Sequence, residues 1–445
     1  MNPLRVNLVA LLAVLVGVVI VTLDISLTST AIPSIAMSIG TTPATTIWII
    51  NIYYLAVVAG LLPLGALGEI YGHRRVFFAG LGVFSLGAMA CGLAGTLLAL
   101  MAGRAVLGVG AAAVAATTPA LIRTLYPPAH LSRGLGLYAM VVGIALACGP
   151  TAASAVLAVA AWPWLYLLMC PLALATVLLA VKSLPPTERK VRPFDKVSAL
   201  LCAGMFASLL FAIAGFAQLG WTTALVAGGI SATLGCALTQ REAGHPAPIL
   251  AFDLFRIPFF SLSAVTSVCA FAIQGLVFIV LPLMLHLRMG FGQLDVGLMI
   301  LPWPMTLALM TLVAAPLAHK LPASVLGCGG LVMVAIGLMA IARLPASATV
   351  LEISACLVWC GVGFGFFQSP NMVALMSSAP PDRSGGAGGV LAASRLVGQA
   401  IGAALVAFCV SRWPTTGMAA TLWLGALLAV LGSATSVLRL APFAR

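Results

Sequence analysis

Residues 6–32 read VNLVALLAVLVGVVIVTLDISLTSTAI, an apolar run broken by a single charge, Asp24. A helix rises 1.5 Å per residue, so about 20 residues cross the roughly 30 Å hydrocarbon core of a bilayer. The run is long enough to do so. It also exceeds the roughly 7–15 residues of a cleaved leader's apolar region. Although Met1 to Arg5 resembles a short basic leader, the stretch reads as a retained first membrane span.

The rest of the chain follows the same pattern. Of 445 residues, 62% are apolar and 7% charged, against about 45–50% and about 25% in soluble domains. Too few charges exist to cover a soluble surface of this size, and disorder requires low hydrophobicity. Breaking the chain at polar, Pro-rich or Gly-rich points leaves fourteen apolar runs. They cover 6–31, 46–68, 76–95, 97–121, 134–157, 162–182, 197–217, 222–240, 259–284, 296–317, 323–342, 350–376, 387–411 and 417–438. Runs this long are helices rather than outer-membrane strands, which alternate over about 10 residues. The expected fold class is therefore an all-α polytopic membrane protein.

The net charge of +12 does not point to nucleic acid, because the basic residues are scattered singly with no basic face. They instead follow the orientation rule. The connections after even-numbered spans, together with both termini, hold sixteen Lys and Arg; the opposite side holds only Arg288, Arg343 and Arg412. Both termini are thus expected in the cytoplasm. All ten cysteines lie in or beside apolar runs, so no disulfide framework is expected. The five histidines are dispersed, and no metal site is expected.

A weak repeat runs through the chain. Pro63-Leu64 matches Pro316-Leu317, Gly108-Val109-Gly110 matches Gly361-Val362-Gly363, and Pro119 matches Pro370. The match pairs spans 2 and 4 with spans 10 and 12. Two six-span halves with two inserted spans produce that offset, and parallel repeats around a mid-membrane site mark one class of secondary transporter. The expected organisation is a bundle over 1–182, a cytoplasmic linker over 183–196, an inserted pair over 197–240, a second linker over 241–258 and a second bundle over 259–445.

The motifs then add a resemblance. Span 1 has Leu23-Asp24-Ile25-Ser26 and Ala31-Ile32-Pro33; span 2 has Trp48 and Tyr53-Tyr54-Leu55. The following loop reads Gly65-Ala66-Leu67-Gly68-Glu69-Ile70-Tyr71-Gly72-His73-Arg74-Arg75. Span 4 has Arg104-Ala105-Val106-Leu107-Gly108-Val109-Gly110, span 5 has Gly143 and Gly149-Pro150, and span 6 opens Trp162-Pro163-Trp164-Leu165-Tyr166. Jointly these resemble the major facilitator superfamily, in its fourteen-span drug:proton antiporter branch of multidrug, quaternary ammonium and methyl viologen exporters. Departures are Glu69 in place of Asp, Ala153-Ser154 in place of a closing Gly-Gly, Met169 in place of Asn, and a second-half loop reduced to His319-Lys320.

Asp24 is the only acid deep in a predicted span. Asp24 and Arg104 each lie about seven residues from the outer end of their span, roughly 10 Å down, so they can pair. Burial disfavours a charged carboxyl and a guanidinium favours it. Asp24 with Arg104 is therefore the expected proton-coupling pair, the alternative being a permanent structural ion pair. Gly65, Glu69, Gly72, Arg74 and Arg75 form a turn that the resemblance implies to be a gating latch, Glu69 approaching the start of span 13 near Ser384-Gly385. A solvated charge cluster is the alternative. Gly143, Gly149 and Pro150 would be a hinge and leak barrier, or ordinary helix packing. Asn51, Tyr54, Gln274, Trp359, Phe366, Phe367, Gln368 and Asn371 are candidates for the substrate cavity, since aromatic faces attract organic cations.

Gly108-Val109-Gly110-Ala111-Ala112-Ala113 formally fits a dinucleotide fingerprint but has no strand before it. No phosphate loop is present, so no cofactor is expected and a proton gradient is the expected energy source. Neither two facing acids nor a Ser/His pair suggests an enzyme. The expectation is a monomeric, proton-coupled exporter of amphipathic, cationic drugs or biocides in a bacterial inner membrane. Its partners would be a lipophilic small molecule, the proton and the bilayer. Alternatives are export of a neutral or anionic metabolite, through Arg104 and Arg395, or a non-transporting sensor or scaffold.

Overall fold

The computed structural model describes residues 7–126, 131–187, 194–242, 252–317, 320–379 and 384–441. Among them, thirteen helices are long and apolar enough to cross a membrane. The elements are α1 (Leu8–Ile39), α2 (Pro43–Thr46), α3 (Trp48–Tyr71), α4 (His73–Gly92), α5 (Leu97–Leu125), α6 (Leu131–Val159), α7 (Pro163–Leu167), α8 (Met169–Ser183), α9 (Lys196–Leu219), α10 (Trp221–Glu242), α11 (Pro258–Leu283), α12 (Gln293–Ile300), α13 (Pro302–Leu317), α14 (Ala323–Arg343), α15 (Val350–Ser377), α16 (Ser384–Arg412) and α17 (Gly417–Leu438). Helices are the expected answer to lipid, where every backbone polar group must be bonded within its own segment.

Thirteen of the fourteen expected runs are found as long apolar helices, and a shorter apolar helix stands at the remaining one. The run expected at 296–317 is two helices, α12 and α13, parted at Leu301 just before Pro302. Leu301 itself keeps helical dihedrals and its carbonyl accepts from the Met305 N–H; Pro302 lacks the N–H that would continue the ladder. The sixth run is likewise split, into α7 and α8, and α11 passes into a π-helical turn at Met284–Arg288.

The packing has two matching halves. α1 packs on α6, α3 on α5 and α4 on α5; α11 packs on α16, α13 on α15 and α14 on α15. Glycines serve the same contacts in both. A Cβ on Gly108 would strike the Tyr53 carbonyl of α3, and one on Gly361 the Trp303 carbonyl of α13. One on Gly110 would strike Phe84 and Gly80 of α4, and one on Gly363 the Gly330 carbonyl of α14. The sequence repeat is thus a repeat of close helix crossings, where small residues let backbones approach. The halves meet where α3 lies on α16 and α6 lies on α12 and α13. α9 lies along the α3–α16 seam, with Phe211 against Trp48 and Phe216 against Phe408, while α10 packs on α9.

Candidate functional site

Asp24 lies midway along α1 and Arg104 on α5, and both are essentially without solvent exposure. Arg104 Nη1 donates to Asp24 Oδ1 at 2.8 Å and Oδ2 at 2.6 Å. Nε donates to the Ile49 carbonyl at 3.2 Å, while Nη2 is buried with no hydrogen-bond partner. The guanidinium lies over the Tyr53 ring, 4.3 Å from its centroid, and 5.7 Å from that of Tyr166. Tyr166 in turn shares a 3.2 Å hydrogen bond with Thr28 of α1. A buried charge pair is tolerable only when the ions neutralise each other and hydrogen bonds take up the rest. Here two tyrosine faces add cation–π attraction.

Beside this pair, between the halves, is a cavity of about 10 Å³ lined by Ile25, Ser26, Ser29, Ile50, Tyr54, Leu146, Gly275, Phe278, Ile279 and Gln399. That is about the space of one water. Gln399 Nε2 donates to Gln274 Oε1 at 3.1 Å at its border. Tyr54, of the sequence candidates, lines the cavity, and Gln274 is joined to it through Gln399. Asn51 is buried, with neither amide atom bonded.

The other cavity candidates are elsewhere. Trp359 is 46% exposed on the outer surface of α15, against Gly337 of α14. Phe367 packs on Phe364, whose ring also meets Phe271 and Trp303. Phe366 is half-buried against Gly330 of α14. Gln368 is half-buried, with its Oε1 unbonded. Asn371 belongs to a separate buried network: Arg439 Nη1 donates to Asn371 Oδ1 at 2.7 Å and to Ser263 Oγ at 3.2 Å, and Asn371 Nδ2 donates to Ser267 Oγ at 2.7 Å. That network ties α17 to α15 and α11. In the sequence Arg439 is one of the sixteen basic residues counted on the cytoplasmic side, and nothing in one dimension joins it to Asn371.

Gly149 and Pro150 do stand at a junction. A Cβ on Gly149 would strike Ser26 of α1, and the Pro150 carbonyl faces Gly297 of α12, whose own carbonyl accepts from Thr151 Oγ1 at 3.0 Å. Gly143 touches nothing within 4 Å of a built Cβ.

In the loop between α3 and α4, Gly72 has φ 98°, a left-handed conformation that favours glycine. A Cβ on Gly68 would meet the His73 ring, while Gly65 has only Ala116 nearby. Arg74 Nη2 donates to the Val181 carbonyl at 2.6 Å and its backbone N–H to Thr187 Oγ1 at 3.3 Å, so this loop is held to the end of α8 and the chain after it. Arg75 is exposed and Glu69 half-buried. Side chains at the expected latch partner, Ser384-Gly385, lie outside the described residues, as do His319 and linker residues 188–193 and 243–251.

A family model described as Major Facilitator Superfamily matches residues 14–403. The chain belongs to the Major Facilitator Superfamily. Among its relatives, the uncharacterized transporter YebQ of Escherichia coli (strain K12) is 39% identical over 98% of this chain and 96% of its own. The multidrug resistance protein Stp of Mycobacterium tuberculosis (strain CDC 1551 / Oshkosh) is 28% identical over 92% of this chain and 77% of its own. A crystal structure of a POT family transporter, 16% identical, superposes with TM-score 0.72 over 98% of this chain and 96% of that one. As a superfamily member, the chain is a multi-pass membrane transporter, not an enzyme.

Proposed function

We propose that the protein is a proton-coupled exporter of amphipathic compounds, working by alternating access, with Asp24 as the group that takes up and releases the proton. The observation that carries the reading is the Asp24–Arg104 pair, buried in the first half directly behind the cavity between the halves. A carboxylate at this depth is costly in hydrocarbon and tends to mark an ion pathway. Protonating Asp24 removes the anion that holds Arg104, leaving the guanidinium on Tyr53, Tyr166 and the Ile49 carbonyl. That change lies two residues from Ser26, where α1 meets Gly149 of α6, so it acts on a helix pair reaching the opposite half.

The cavity holds about one water, so substrate must enter another arrangement of the two halves. The bundles over 1–182 and 259–445 are the bodies that move, with Gly149 and Pro150 at their contact. The loop Gly65–Arg75 would act on the cytoplasmic side, both termini facing the cytoplasm of a bacterial inner membrane. Relatives named for multidrug resistance support an amphipathic organic substrate. A cationic substrate would compete with Arg104 for Asp24.

The test is proton movement in everted vesicles that hold the full chain under an acid-inside gradient. A panel of cationic, neutral and anionic amphiphiles is added and a pH dye is followed. Dequenching that is lost in Asp24→Asn supports the reading. No dequenching by any compound, with folded protein confirmed, contradicts it.

A further inference from the structure

Among the described residues, three formal charges stand on membrane-spanning helices away from their first and last turns: Asp24, Arg104 and Arg395. The first two neutralise each other. Arg395 has neither an ion pair nor a hydrogen bond among the described residues. It is half-buried on α16, the helix that meets α3 across the seam between the halves. Gln399, four residues on and therefore on the same helix face, lines the central cavity. Tyr54 of α3 lines the same cavity from the opposite half. Among the described residues, the spans thus carry one positive charge in excess, one helical turn from a residue that lines the cavity.

We infer that Arg395 anchors an anionic group of the exported compound, and that the substrates are amphipathic organic acids. A guanidinium presents a planar fork of donors that matches a carboxylate, and charge-assisted bonds of this kind are about twice as strong as neutral ones. Ile25, Ile50, Phe278 and Ile279 supply apolar surface for the body of the compound, and Gln399 and Tyr54 supply neutral polar groups. A cation at the same place would face an uncompensated guanidinium and would compete with Arg104 for Asp24. The charges also suit export. An organic anion leaving the cell and a proton entering move charge in the same electrical sense, so the membrane potential drives both. This inference rests on the exporter reading above.

The experiment measures binding without any gradient, so the two can fail separately. The purified full chain is placed in nanodiscs of zwitterionic lipid. Dissociation constants are measured by tryptophan fluorescence for dodecanoate, deoxycholate and 2-naphthoate, for their methyl esters, and for dodecyltrimethylammonium. The natural chain is expected to bind at least one acid about tenfold or more tightly than its ester. Arg395→Gln abolishes that preference and Arg395→Lys restores part of it, with melting profiles confirming that both variants are folded. Three results overturn the inference: no acid preferred to its ester, a preference that survives in Arg395→Gln, or dodecyltrimethylammonium bound more tightly than dodecanoate. If no compound moves protons in vesicles, the exporter reading fails, and the binding data still decide the role of Arg395.

Discussion

Arg104 uses only one of its two terminal nitrogens on Asp24: Nη1 reaches both carboxylate oxygens, while Nη2, equally buried, has no acceptor. The strongest arginine–carboxylate geometry is two parallel bonds from two nitrogens. This pair is therefore charge-balanced but not locked in its fullest geometry. Such an arrangement suits a carboxylate that must leave its partner once per cycle.

The pair predicts a thermodynamic cycle. Removing one member of a buried ion pair leaves the other unpaired, at a cost of roughly 3–5 kcal/mol. Asp24→Asn and Arg104→Gln are each expected to lower the melting temperature in detergent. The double variant is expected to recover most of the loss. Additive losses in the double variant would show that the two residues do not interact.

Helix spacing predicts a contrast within one motif. Gly149→Val places atoms into Ser26 and should sharply reduce folded protein, whereas Gly143→Ala meets open space and should be tolerated. The readout is the yield of monodisperse protein in size-exclusion chromatography. Equal tolerance at both sites would contradict the close crossing of α1 and α6.

The two halves predict matched sensitivity. Gly110→Val and Gly363→Val both force apart helix pairs that cross in the same way, α4 from α5 and α14 from α15. Comparable losses of thermal stability are expected from the two. A loss at Gly110 with none at Gly363 would break the equivalence.

The pair of helices along the seam has a pH signature. Asp195 caps α9, accepting from the Val197 and Ser198 backbone N–H groups, and pairs with Arg241 at the end of α10. The Arg241 guanidinium holds the Asp195 carboxyl well below the usual carboxylate range. A lowered value means that the contribution is complete above the unfolded-state value of about 3.9. It fades as the pH falls below that and is gone only beneath the folded-state value. The melting difference between the natural chain and Asp195→Ala should therefore be constant from pH 8 to pH 5 and shrink below about pH 4. A difference that changes between pH 8 and pH 5 would contradict the pairing.

Much of the architecture was legible because membrane spans are written as length and hydrophobicity, which survive in one dimension. The pairing of Asp24 with Arg104 followed from equal depth on two spans. The break before Pro302 was missed because the apolar run is continuous through it; the signal available was the Pro302-Trp303-Pro304 sequence. Tyr53 and Tyr166, which bracket Arg104, were quoted only as parts of motifs. Their stacking depends on how α3 and α7 face α5, which composition does not encode. Trp359 and Asn371 read as cavity residues because aromatics and amides crowd one Gly-rich, Pro-ended span. On α15 they point to different neighbours, and only packing separates them.

Asp24 is the proposed proton carrier. Its most direct test uses proteoliposomes in which substrate exchange and gradient-driven transport are measured side by side for a compound that moves protons with the natural chain. Asp24→Asn is expected to retain exchange of labelled for unlabelled compound at no gradient and to lose accumulation driven by a proton gradient. Accumulation by Asp24→Asn at the rate of the natural chain would contradict it.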